Sequence, residues 1–101
     1  MKQCCHDYLM EQFGDEDIIK DIYEEYVNSI REKIPEFEAA LSEENWQLLD
    51  RLAHAVKGNA LAAGDTDIAD VAIALRSAAK LSEKSTATSL FEKLKNLATE
   101  I

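Results

Sequence analysis

A histidine at position 54, a lysine three residues after it and a glycine four residues after it are the residues of this chain whose types and spacing could do chemistry. An imidazole in water has a pKa near 6.5, so near neutral pH it is largely unprotonated and a ring nitrogen can attack phosphorus. On a helix, a lysine at i+3 shares the histidine's face, where its flexible ammonium reaches the oxygens of a phosphoryl group held on the ring. Helical side chains lean toward the N-terminus, so any side chain at i+4 would lie over that ring. Gly58 has none, and glycine inside a helix costs about 0.5–1 kcal/mol relative to alanine. Its presence there asks for a reason, and clearance for an incoming reactant is one.

This reading requires a helix that points His54 outward. Stepping by about 100° per residue places Leu49, Leu52, Val56 and Ala63 on one side and Gln47, Asp50, His54, Lys57, Gly58 and Leu61 on the other. The first set is a core stripe, so the histidine faces solvent. Ser42, followed by Glu43 and Glu44, has the pattern of an N-cap for this helix, which runs to about Ala63 with Gly64 as its stop.

Four further segments complete the bundle. Ile19, Tyr23, Tyr26, Ile30, Ile34, Phe37 and Leu41 form one stripe of a long helix starting near Gly14 or Asp15. The stripe keeps phase across Pro35, which predicts a kink rather than a break. Asp65 can cap a helix with stripe Ile68, Val71, Ala72, Leu75 and Ala79, and Ser82 to Ser85 reads as the next turn. Leu90, Phe91, Leu94 and Leu97 line the last helix, while Tyr8, Leu9 and Phe13 suggest a short N-terminal one. Short connections favour an all-α, up-and-down antiparallel four-helix bundle with that additional helix at one end. Residues 1–101 are expected to form a single domain, with no linker, repeat or low-complexity segment.

Composition narrows the function classes. Only three glycines and one proline interrupt the chain, and its net charge of −9 would repel a phosphate backbone, so nucleic acid is not an expected partner. No apolar run approaches the roughly 20 residues a bilayer span needs, and the N-terminus has no signal-peptide pattern, which predicts a cytoplasmic protein without a membrane segment. Cys4 and Cys5 are adjacent, tighter than an ordinary disulfide accepts, and with His6 they lack the two-to-four-residue cysteine spacing of zinc sites. No metal site is expected there; the pair reads as reduced thiols on a fraying helix. No second base, oxyanion hole or nucleotide loop accompanies His54, so an independent enzyme is not expected either.

The run Ala53-His54-Ala55-Val56-Lys57-Gly58, with the later Gly64, resembles the signature of the histidine-containing phosphotransfer (HPt) family. Phe13-Gly14-Asp15-Glu16 and Ile34-Pro35-Glu36 are similar to that family's first long helix, so that the resemblance covers about residues 10 to 80. It implies a phosphorelay intermediate in which a receiver-domain aspartyl phosphate donates to His54 and another receiver accepts. It also implies that Lys57 contacts the phosphoryl group, that Gly58 leaves room for the partner, and that Gln47, Asp50, Arg51 and Leu61 line the docking face. The expected partners are response-regulator receivers and a hybrid histidine kinase. No cofactor of its own is expected, the Mg²⁺ coming with the receiver, and a monomer is the expected state. Met1 favours a free-standing protein. The alternative is a bundle that binds a signalling partner without being phosphorylated. Asn59 and Arg76 depart from the family pattern, which usually has Ser or Ala and then Glu at these places; a half-buried amide at position 59 needs hydrogen-bond partners.

Overall fold

The computed structural model describes all 101 residues as five helices with no strand: α1 (Gln3–Phe13), α2 (Glu16–Ser42), α3 (Trp46–Ala63), α4 (Thr66–Lys80) and α5 (Lys84–Thr99). At about 1.5 Å per residue, the 27-residue α2 sets the long dimension of a 42 × 20 × 20 Å body. α2 packs on α3 and α5, α3 on α4, α4 on α5, and α1 lies across α2 and α3.

The termini of these helices follow from local chemistry. The Asp15 carboxylate accepts from the backbone N–H of Asp17 and Ile18, starting α2 where the sequence places it. α2 then continues unbroken through Pro35. It also takes in Ser42, which is the last residue of α2 and not the cap of α3; that role belongs to Asn45, whose side chain accepts from Leu48 N–H at 3.1 Å. Burial of Ala40 and Leu41 carries the α2 stripe up to Ser42, and the N–H groups of Glu43 and Asn45 close the helix on the carbonyls of Ala39 and Ala40. The last turn, by contrast, comes earlier than expected: Leu81 to Glu83 join the helices, with Ser82 at φ 53°, and Ser85 lies inside α5.

The core runs the length of the molecule. Every residue of the expected α4 stripe is buried, and Phe37 stacks on Phe91 at 5.5 Å between α2 and α5. Ala53, Ala60 and Ala63 on α3 and Ala69, Ala72, Ala78 and Ala79 on α4 are buried too. Small side chains let helix axes approach closely, which anchors α3 firmly against α4 and leaves its opposite face free.

α1 is held differently from its sequence reading. Leu9 is buried, but Tyr8 and Phe13 stay exposed, and Cys5 takes the second inward position at 0 % exposure. Cys5 is therefore a core residue on a docked helix, not half of a pair on a fraying one, while Cys4 faces solvent. Tyr8 lies over Gly64, where an added Cβ would come within 2.5 Å of the tyrosine Cβ and where φ is +76°. The end of the bundle also encloses one carboxylate. Asp65, fully buried, accepts from Lys2 Nζ at 2.7 Å, from Tyr26 Oη at 2.8 Å and from Ile68 N–H at 3.3 Å.

This enclosed cluster makes alkaline stability a readable quantity. Burial, then the charges of Asp65 and Cys4, push the Cys5 thiol from its ordinary value of 9.0 up to about 12. Burial also raises Tyr26 and Tyr23, while Lys2, which burial alone would lower, is held above its ordinary value by Asp65 and Asp67. All four groups bind their protons more tightly folded than unfolded. Their contribution is complete below the unfolded values and is lost as pH rises through the folded ones. The melting temperature is expected to hold up to about pH 9 and to fall between pH 9 and 12, with the onset delayed in Cys5→Ala. Differential scanning calorimetry across this range checks it; an unchanged onset in Cys5→Ala would contradict the assignment.

Candidate functional site

α3 carries its apolar stripe inward, with Leu49, Leu52, Val56 and Ala63 all buried, and turns His54 outward into solvent. The imidazole forms no hydrogen bond or ion pair within the protein, so both ring nitrogens are open. Lys57, half-buried, has no carboxylate partner. Gly58 is exposed, and an added Cβ there would meet nothing within 4 Å. Packing within the chain therefore does not demand a glycine at this position.

The neighbouring positions divide between free and engaged side chains. Gln47, Arg51 and Leu61 are exposed, Leu61 at 48 %. Asp50, expected to be a partner contact, is half-buried and tied to α4, where Arg76 Nε donates to its Oδ1 at 3.0 Å. Thus Arg76, a departure noted in the sequence, has a definite partner. Asn59 turns toward α2, where its Nδ2 donates to Ser29 Oγ at 2.8 Å, and Lys33 Nζ donates to the same oxygen at 2.9 Å. The half-buried amide thereby finds the partner it requires.

Sequence reasoning expected apolar edges on both long helices beside this face but named only Leu61. An open groove of about 210 Å³ runs between α2 and α3, lined by Ile22, Tyr26, Ser29, Asn59, Ala62 and Ala63 with Glu25 at its rim. Ile18, one turn from Ile22, is 47 % exposed although its neighbour Ile19 is buried. The signal was present as two adjacent isoleucines, only one of which a single helical stripe can absorb. At the other end of the chain, Cys5 turns into the core, Cys4 faces outward and His6 Nε2 lies 2.8 Å from Glu16 Oε1. These three side chains diverge.

The family model for the Hpt domain matches residues 21–101, which take in α2 from Asp21 onward, all of α3, α4 and α5, and with them His54, Lys57 and Gly58. The chain belongs to the Hpt domain family. No curated protein and no solved structure gave a match. The Hpt match begins after Phe13-Gly14-Asp15-Glu16, which the resemblance had included, and continues beyond residue 80 through α5. α1 lies outside the matched residues, and its Lys2–Asp65 tether joins it to them. Membership implies phosphotransfer within two-component signalling, with receivers or kinases as partners.

Proposed function

We propose that this Hpt domain carries a phosphoryl group on His54, taking it from a receiver aspartyl phosphate or a histidine kinase and passing it to another receiver. The observation that carries this reading is the exposed, unpartnered imidazole on α3 with an unpaired Lys57 and open space at Gly58 on the same face. In the transfer, a ring nitrogen forms an N–P bond as the acyl P–O bond breaks. The receiver aspartate leaves as a carboxylate and the other ring nitrogen gives up its proton. Such chemistry gains mainly from positioning and charge compensation. The Hpt chain supplies an oriented nucleophile and the Lys57 cation; the Mg²⁺ and the remaining catalytic groups come with the receiver.

α2 to α5 are read as an up-and-down antiparallel bundle that presents this face. The receiver is placed over His54, its apolar contacts falling on Leu61 of α3 and on Ile18 and Ile22 at the edge of α2. Gln47 and Arg51 border the same surface. No helix is long and apolar enough to cross a membrane, and a cytoplasmic setting is part of the proposal. Incubation with a panel of phosphorylated receivers tests it: label should pass to this chain, be lost in acid and survive base. Stable binding of a receiver with no transfer in either direction would favour the interaction module instead.

Lys57→Ala separates kinetics from folding. A half-buried cation without a partner contributes little to stability, so the variant should melt within about 1 kcal/mol of the parent. Losing a charge-assisted contact to the phosphoryl oxygens should slow transfer about tenfold. A Lys57→Ala protein that transfers at the parent rate would remove this contact from the mechanism.

A further inference from the structure

Asp50 stands one helical turn before His54 on the outward side of α3, a spacing at which Cβ atoms lie about 5–6 Å apart. A free carboxylate there would oppose a phosphoryl group arriving at the imidazole, because both are anionic. It is not free. Arg76, reaching from α4, holds it through the 3.0 Å Nε–Oδ1 contact, and the two side chains are only 26 % and 30 % exposed. No hydrogen bond joins Asp50 to the His54 ring, so the carboxylate does not orient the imidazole.

We propose that Arg76 is a positioning residue that masks the charge of Asp50, the only carboxylate of α3, so that Arg51 and Lys57 meet an incoming phosphoryl group at His54 without an opposing charge on their own helix. This rests on the phosphocarrier reading above. The local balance supports it: with Asp50 neutralised, Arg51 and Lys57 remain beside His54 without ion-pair partners, on a chain whose net charge is −9. Partial burial strengthens the effect, since charges shielded from water interact more strongly than fully hydrated ones. A planar guanidinium also holds a carboxylate in a more defined geometry than an ammonium does. Arg76 acts here through Asp50 and does not touch the phosphoryl group.

The test uses the full chain and phosphoramidate, a small donor that needs no receiver. A ring nitrogen of His54 forms its N–P bond, the donor N–P bond breaks and ammonia leaves. Arg76→Gln exposes the Asp50 charge and should slow labelling about tenfold, the scale of one charge interaction at this spacing near a surface. Adding Asp50→Asn should bring the rate back to within about twofold of the parent, because the repelling charge is gone. Asp50→Asn alone should label faster than the parent, since it leaves Arg76 as an uncompensated cation, and this variant carries the test if Arg76→Gln does not fold. The masking role is overturned if Arg76→Gln labels at the parent rate, if the double variant stays slow, or if Asp50→Asn alone gains nothing. If phosphoramidate does not label the parent, the same comparisons are made with a phosphorylated receiver as donor, and a parent labelled by neither would instead sink the phosphocarrier reading itself.

Discussion

Asp65→Ala is expected to destabilise the protein by about 3–5 kcal/mol, the cost of removing one partner from a buried, hydrogen-bonded charge pair. The carboxylate is fully buried and serves three donors from three parts of the chain: Lys2 ahead of α1, Tyr26 in α2 and the first turn of α4. Alanine would leave the Tyr26 hydroxyl enclosed without an acceptor, the Lys2 ammonium without its nearest counter-charge and α4 without its cap. Against a typical stability of roughly 5–15 kcal/mol, this is a large fraction. Urea denaturation at pH 7 measures it. A loss below about 1 kcal/mol would mean that water takes over the carboxylate's partners and that the tether is a surface feature. Asp65 lies beyond the C-terminal end of α3 and caps α4, so the folded fraction of the variant should still accept phosphate on His54.

Gly58→Gln should have the opposite profile. The glycine sits inside a helix with nothing within 4 Å of the place a Cβ would occupy, so glutamine adds helix propensity without a clash. Stability should stay level or rise by several tenths of a kcal/mol. The new side chain, leaning back one turn, lies over the imidazole and obstructs in-line approach of the aspartyl phosphate. A misplacement of about 1 Å can cost roughly 100-fold in rate, and a slowing of at least about tenfold is expected. Melting and receiver-to-histidine transfer must be measured on one preparation. Transfer at the parent rate would leave the glycine as a tolerated helix defect and remove it from the mechanism.

These two residues also mark what could be read in the sequence and what could not. The orientation of α3 was legible because one helix's hydrophobic periodicity is a local property: Val56 inward implies His54 and Gly58 outward. Gly64 and Asp65 as stop and cap were legible for the same reason, and the structure adds a positive φ at the glycine and a capping bond at the aspartate. The burial of Asp65 was not legible, since its partners Lys2 and Tyr26 lie 63 and 39 residues away and only the folded chain brings them together. The Asp50–Arg76 pair, 26 residues apart, depends in the same way on the register of α3 against α4. Ser42 misled because Ser-Glu-Glu is a good local start signal, while the boundary was decided by the Asn45 side chain and by continued burial of α2. In α1, three apolar residues were too few to fix a face, and the inward position went to Cys5 instead of Tyr8 or Phe13.

The central claim is that His54 is the phosphoryl acceptor, and only one other histidine, His6, could take its place. His6 lies in α1 against Glu16, without a lysine or glycine at i+3 or i+4. The most direct measurement is ³¹P NMR of the parent and of His54→Gln after incubation with the same phosphorylated receivers. The parent should show one acid-labile, base-stable phosphohistidine signal, and His54→Gln, folded as the parent is, should show none. Full labelling of His54→Gln, or no labelling of the parent by any receiver, would contradict the account.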